Sequence, residues 1–187
     1  MSLKKKWIET VYNIATGSRK IRNFFTPLGA FFYGLLILVF VVIALNIDRL
    51  IGITSIFSNP LNIILSLPFF LLALFLIGWS VQNFLKVKGT PVPFNPPPIL
   101  VTTGPYAYTR NPMLTGVFFL LFGFGVFFGS VSLLIVFTPL FIFINFWELK
   151  SIEEPELEKR LGEEYMQYRK RTPMFFPNLR VIFGKRE

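Results

Sequence analysis

The chain alternates long apolar stretches with short clusters of charge. Three stretches contain no charged residue at all: 23–46, 50–85 and 111–147. A membrane-crossing helix needs about 20 apolar residues at about 1.5 Å rise each. The first stretch therefore predicts one span, over 27–47. The second predicts a span over 61–85, preceded by a segment at 50–57 that is too short to cross and is expected at the outer surface. Ser58-Asn59-Pro60 separates the two, and Pro is well placed at a helix start. The third stretch is too long for one pass. It predicts a helical hairpin, 112–128 and 131–147, turning near Gly129-Ser130.

The segments between and around these spans are polar. Asp48 and Arg49 predict a turn after the first span. Residues 86–110 hold Pro91, Pro93, Pro96, Pro97 and Pro98, each of which lacks an N–H and restricts its predecessor, so this stretch reads as a loop. Loops of this length are commonly functional or disordered. Near the start, Trp7, Val11 and Ile14 recur at helical spacing among lysines, as in an interfacial helix meeting anionic headgroups. Near the end, 151–172 predicts a charged helix with Leu157, Leu161, Tyr165 and Tyr168 on one face. The expected fold is all-α: a polytopic membrane protein with about four transmembrane helices. It reads as a single domain, divided into an interfacial helix (1–26), two spans (27–85), a loop (86–111), a hairpin (112–147) and a C-terminal amphipathic helix with a basic tail (148–187).

Charge orients this layout. With both termini on one side, eighteen of the nineteen Lys and Arg residues fall on that side, and Arg49 alone falls on the other. By the positive-inside rule both termini are expected in the cytoplasm. The net charge of +9 then follows from topology, and no nucleic-acid partner is expected. The basic run Lys4-Lys5-Lys6 leads into a mixed segment, not a clean apolar core, so no signal peptide is expected. The compact layout favours a prokaryotic plasma membrane, with the endoplasmic reticulum as the alternative.

Composition narrows the chemistry. There is no cysteine and no histidine. Disulfides, thiolate catalysis, His-dependent triads and the commonest metal ligands are thereby removed, and no metal site is expected. Asp48, the only aspartate, is predicted on the outer side.

Two segments on the inner side can carry chemistry. The first is Gly104-Pro105-Tyr106-Ala107-Tyr108-Thr109-Arg110-Asn111-Pro112. Asn111 and Pro112 form a helix-start signal, and by itself that signal marks only the beginning of a span. A helix start also offers free N–H groups and partial positive charge, and Arg110 adds a full one, which together suit a small carboxylate ligand. Gly104 permits close backbone approach. The second segment runs from Glu153-Glu154 to Arg171. Its acids lead and its bases trail, which complements the helix dipole, and a solvated amphipathic helix explains that pattern equally well. Glu153 and Glu154 stand apart because they follow the last span directly and can meet a ligand's hydroxyls or ammonium.

The stretch 100–116 resembles the segment ending Arg-His-Pro-x-Tyr-x-Gly in isoprenylcysteine carboxyl methyltransferases and their prokaryotic relatives. Glu153-Glu154 through Gly162-Glu163-Glu164-Tyr165-Met166-Gln167-Tyr168-Arg169-Lys170-Arg171-Thr172-Pro173 resembles the same family's C-terminal signature. The two occur in order around a hairpin, as in that family, and the resemblance is clearest over 100–177. It implies a membrane methyltransferase using S-adenosylmethionine, with S-adenosylhomocysteine as product and no metal. The cofactor would bind at the cytosolic face, and a lipophilic or lipidated acceptor would come from the bilayer. By position, the implied cofactor residues are Gly104, Pro105, Tyr106, Arg110, Asn111, Glu153 and Glu154, with Tyr165, Tyr168 and Arg171 packing around them. Gly123-Phe124-Gly125 and Glu153-Glu154 also match features of phospholipid N-methyltransferases. Two positions depart from the pattern: Asn111 replaces the usual His and Leu114 the common Tyr. Asn donates a hydrogen bond but takes no proton at neutral pH.

Methyl transfer from a sulfonium needs no enzyme nucleophile, only alignment and exclusion of water. A carboxylate acceptor is already ionised, whereas an ammonium must first lose a proton. The absence of His therefore tilts the expectation toward an isoprenylcysteine-type carboxylate, or a thiolate. A carboxylate wants a cationic partner, for which Arg160 and Lys150 are the catalytic candidates. Phospholipid N-methylation and thiol methylation are the alternatives within the class. Outside it stand a non-enzymatic membrane scaffold or lipid-binding protein, and a reductase on a related membrane scaffold. No phosphate-binding glycine loop supports the reductase.

Overall fold

The computed structural model describes residues 3–87, 89–90, 95–97 and 99–177. Lys88, Pro91, Pro93 and Pro98 of the predicted loop lie outside the described residues, as does the basic tail from 178 onward with Arg180, Lys185 and Arg186. All regular structure among the described residues is helical.

Helix α1 spans Leu3–Ala15 and buries Val11 and Ala15. Trp7 is exposed. Helix α2 spans Arg19–Leu50, and here the expected boundaries give way at both ends. Residues 19–26 extend the first span's helix and do not belong to α1. Pro27, expected at the start of the span, sits inside the helix. Its missing N–H frees one carbonyl. Membrane helices tolerate such a proline where neighbouring groups re-satisfy the backbone, and beside it Thr26 Oγ1 donates to the Arg22 carbonyl at 2.8 Å. At the other end Asp48 and Arg49 do not form a turn. Both are helical, and Asp48 is buried.

Helices α3 (Leu61–Lys86) and α4 (Pro112–Phe128) share the most extensive helix–helix contact in the protein. Small residues allow it. A Cβ on Gly116 would stand 2.9 Å from the Ile77 side chain, and one on Gly123 would stand 2.8 Å from the Phe70 ring. In lipid, helices associate through such close packing because there is no water to expel. Val41 and Ala44 of α2 complete a core with Val117, Phe118 and Leu121 of α4 and with Leu133 and Phe141.

The hairpin turns where the sequence predicts. Gly129 caps α4 with φ of 63°, a left-handed conformation that glycine adopts at no steric cost. The returning helix then runs unbroken over Leu133–Leu161, so the expected end at 147 is absent. It consists of a π turn (Leu133–Phe137), α5 (Thr138–Glu148), a second π turn (Leu149–Glu153) and α6 (Glu154–Leu161). Each π turn comes just before a proline, Pro139 or Pro155. The wider turn changes the hydrogen-bonding pattern where a proline N–H is missing. Charge does not end this helix. Gly162 does, with φ of 60° and ψ of −135°, and α7 (Glu163–Arg171) follows.

Helices α2 and α3 and the rod Leu133–Leu161 are long and apolar enough to cross a membrane, and α4 is apolar but shorter at 17 residues. The chain is a polytopic, all-α integral membrane protein. At about 1.5 Å per residue the 29-residue rod is about 43 Å long, against a hydrocarbon core of about 30 Å. We take the spanning part to end near the exposed Trp147, and α6 to project beyond it. The helices run antiparallel in sequence, so α1, the 86–111 loop, α6 and α7 gather at one end. This is the basic face. The opposite end carries the links after α2 and α4.

The opposite end is closed by a polar latch. The Asp48 carboxylate accepts from the Ser130 hydroxyl and from the Ser132 N–H, the latter at 3.1 Å. Ser130 Oγ in turn accepts from Leu133 N at 3.1 Å. Asn62 Nδ2 donates to the Phe127 carbonyl at 2.7 Å.

Candidate active site

At the basic face, the turn Gly104–Ala107 leads into α4. Gly104 has φ of 62°, and a Cβ there would fall 2.5 Å from Asn83 Oδ1 of α3. The close approach that this glycine permits is thus to a buried asparagine of the neighbouring helix. Pro105 and Tyr106 are buried. The Tyr106 ring meets Phe84 edge-on at 5.1 Å, its hydroxyl bonds with Ser80, and its carbonyl accepts from the Tyr168 hydroxyl at 2.7 Å. Burial pushes the hydroxyls of Tyr106, Tyr165 and Tyr168 above the usual phenol range, so all three stay protonated.

Arg110 pairs with Glu154 at 2.6 Å, and the two side chains are only 11% and 10% exposed. Arg169 of α7 approaches Glu154 at 3.7 Å and pairs with Glu158. Arg160 pairs with Glu156 at 2.8 Å, again largely buried. On α6 the buried residues are thus Glu154 and Glu156, while Leu157, expected on the packed face, is only half-buried. Such buried pairs hold together because each charge would otherwise lack compensation. Arg110 Nε is buried and has no hydrogen-bond partner among the described residues.

Asn111 occupies the position before α4, as expected, but its side chain does not cap the helix. It donates to the Met174 carbonyl at 3.3 Å. A strap formed by 172–177 returns across this point. The Pro173 and Met174 carbonyls accept from the N–H groups of Arg110 and Asn111 at 2.8 and 3.0 Å. Thr109 and Thr115 hydroxyls donate to the Met174 and Phe175 carbonyls. Phe175 packs against Phe118 at 5.2 Å. The first part of the predicted tail is therefore built into the fold.

The adjacent glutamates part company. Glu154 faces Arg110. Glu153 lies toward Glu148 and toward Tyr33 of α2, and neither Glu148 nor Glu153 forms an ion pair among the described residues. Tyr33 donates to Asn145 Oδ1 at 3.1 Å. Lys150 is exposed, with its ammonium 4.8 Å from the Phe146 ring centroid. The fold thus brings Tyr106, Arg110, Asn111 and Glu154 together. It sets Glu153 on a second side and leaves Lys150 outside both.

Sequence reasoning missed Ser80, Asn83, Asn145, Tyr33, Glu148 and the strap. One signal was available for Ser80, Asn83 and Asn145. Polar residues inside otherwise apolar spans are costly and usually have partners or functions.

Beyond the basic face, α1 is tied to α6. Lys159 bonds Glu9 at 2.7 Å and stands 4.0 Å from the Tyr12 ring centroid.

Comparison with known proteins adds the family. The nickel-cobalt-cadmium resistance protein NccN of Alcaligenes xylosoxydans xylosoxydans is 35% identical over 83 residues, a match spanning 44% of this chain and 38% of that one. No solved structure matches the chain. A family model described as phospholipid methyltransferase matches residues 61–164, from the start of α3 into α7. The matched region contains the Gly104 turn, the hairpin and the Glu153-Glu154 pair, and the chain belongs to the phospholipid methyltransferase family, within the isoprenylcysteine carboxyl methyltransferase-like group of membrane methyltransferases.

Proposed function

We propose that this protein methylates the amine of a membrane lipid, using S-adenosylmethionine as donor, at the cytoplasmic face of a prokaryotic plasma membrane. Family membership supports methyl transfer and the donor. The concentration of basic residues at one face supports the orientation. One observation carries the choice of acceptor. Arg110, Arg160 and Arg169 already face carboxylates, whereas Glu148 and Glu153 face no cation partner within ion-pair distance. A site with surplus carboxylate favours a cationic ligand over an isoprenylcysteine-type carboxylate, and the Arg160 expected to serve that carboxylate is engaged with Glu156.

S-adenosylmethionine, when bound, supplies a methyl group already activated on sulfur. The residues present fit it: the unpartnered Arg110 Nε suits the carboxylate of its amino-acid portion. In this reading Arg110, Asn111, Tyr106 and Glu154 hold the donor, and Gly104 and Pro105 shape the turn that presents Tyr106. Glu153 works on the acceptor side. A lipid ammonium must lose a proton before its nitrogen is nucleophilic, and a carboxylate oxygen of Glu153 or Glu148 takes it. That role needs no histidine, which is consistent with Asn111 at the position where relatives carry one. The strap and the aromatic wall behind Tyr106 limit water.

The test is incubation of purified protein with methyl-labelled donor and fractionated lipids. Label in an amine-headed phospholipid is the expected result. Label only in a carboxyl or thiol acceptor would overturn the choice of amine. No calorimetric binding at millimolar donor would overturn the methyltransferase reading itself.

A further inference from the structure

Helix α2 lies outside the residues that the family model matches. One of its faces carries a shallow apolar groove lined by Phe25, Leu28, Gly29, Phe32, Tyr33 and Leu36. These positions recur at helical spacing, so the groove follows the helix for about 16 Å. Leu28, Phe32 and Leu36 are substantially exposed. Any lipid-facing helix offers apolar surface, so the lining alone identifies nothing.

What sets this groove apart is where it leads. Tyr33 is its only polar residue, and its ring packs against Phe141 of α5 at 5.9 Å. Its hydroxyl turns to Asn145, which is buried and itself donates to the Phe141 carbonyl at 2.8 Å. From Asn145 the helix continues toward the basic face to Glu148 and Glu153, both within electrostatic reach of Tyr33. An apolar channel therefore adjoins two carboxylates that lack an ion-pair partner among the described residues. Buried or half-buried charge without a partner is expensive next to a membrane. A ligand carrying both an apolar chain and a cation offsets both deficits at once.

We propose that this groove holds one acyl chain of an amine-headed phospholipid, with its head directed along α5 to Glu148 and Glu153. Tyr33 is the positioning residue that joins the chain site to the head site. The occupant rests on the amine-methylation reading above. Charge complementarity selects it, since an anionic-headed lipid would meet the two carboxylates with like charge. A purely structural role for Tyr33, tying α2 to α5 through Asn145, is the competing account.

The experiment uses the full chain in nanodiscs with phosphatidylethanolamine bearing a photoreactive diazirine in one acyl chain. Adducts are expected on residues 25–36. Phosphatidylglycerol with the same chain should label them several-fold less. Gly29→Trp fills the groove and should lower both labelling and methyl transfer at least tenfold, with calorimetric donor binding unchanged. Leu28→Trp, on the exposed side of the same groove, gives an independent reading if the first variant melts early. Tyr33→Phe should keep the KM for lipid and lower kcat, whereas a merely structural tyrosine would lower thermal stability alone. Equal labelling by both lipids, adducts confined to other helices, or parent rates in both tryptophan variants overturns the proposal. Parent protein that labels on 25–36 but never binds donor would overturn the methyltransferase reading and leave the groove standing.

Discussion

The two ends of the helix bundle handle buried charge in opposite ways. At the end remote from the termini, a single carboxylate, Asp48, is enough. Both of its oxygens accept hydrogen bonds, from the Ser130 hydroxyl and the Ser132 N–H, and it ties α2 to the start of the returning helix. At the basic face, Glu154, Glu156 and Glu158 meet Arg110, Arg160 and Arg169, yet the cluster is unfinished. Arg110 Nε has no partner, and Glu148 and Glu153 have no counter-charge at ion-pair distance. A satisfied polar group at a helix end is a fastener. Buried polar groups left incomplete in a native fold ask for an explanation, and at the edge of a family-matched region the explanation is a ligand.

Variants at the two ends should therefore separate stability from binding. The largest effect is expected for Glu154→Ala. It strands Arg110 in a buried setting, so stability should fall by about 3–5 kcal/mol. Donor binding should fall below calorimetric detection, and intact binding would remove Glu154 from the donor site. Asp48→Ala comes next. It removes two charge-assisted hydrogen bonds of about 1.5 kcal/mol or more each, for a loss of about 3 kcal/mol in thermal or denaturant melts in detergent. Donor affinity should stay within twofold, and a matching loss of affinity would erase the contrast between the ends.

Phe175→Ala tests the strap. The ring is only partly buried, so about 2 kcal/mol is expected, below the usual cost for a fully buried Phe. Hydrogen exchange should quicken at the amides of Arg110 and Asn111, and unchanged protection would show that the carbonyl contacts hold without the ring. Smallest of all is Lys150→Ala. The ammonium is exposed over Phe146, so stability should change by less than about 0.5 kcal/mol. Methyl transfer should stay within twofold of the parent, and a tenfold loss would return Lys150 to the reaction.

Much of this was legible beforehand. The absence of charge over 111–147 together with Gly129 was enough to place the hairpin, because only glycine takes a left-handed cap freely. The span over 61–85 matches α3 to within a residue at its end. Other boundaries were misjudged for definite reasons. Pro27 reads as a helix start, yet a long membrane helix accommodates it internally. Glu148 and Lys150 read as the end of a span, yet charge alone does not stop a helix once it has left the hydrocarbon. The stop came at Gly162, where backbone geometry changes.

The candidate site was legible as a set of residues and not as an arrangement. Gly104, Tyr106, Arg110, Glu153 and Glu154 could be named from their order along the chain. Their division into an Arg110–Glu154 side and a Glu153–Glu148–Tyr33 side could not. Helical periodicity says which residues of one helix share a face, but it does not say which neighbouring helix that face meets. Here the π turn over Leu149–Glu153 also shifts the register, so an ordinary 3.6-residue count misorients everything after Glu148. Asp48 shows the same limit. By itself the sequence determined the spans, the one-sided charge and the chemically able residues, because apolar length and charge count are local properties. Only the tertiary structure decided that Asp48 is a latch, that 172–177 is a strap and that two adjacent glutamates face different neighbours, because each depends on contact between segments far apart in the chain.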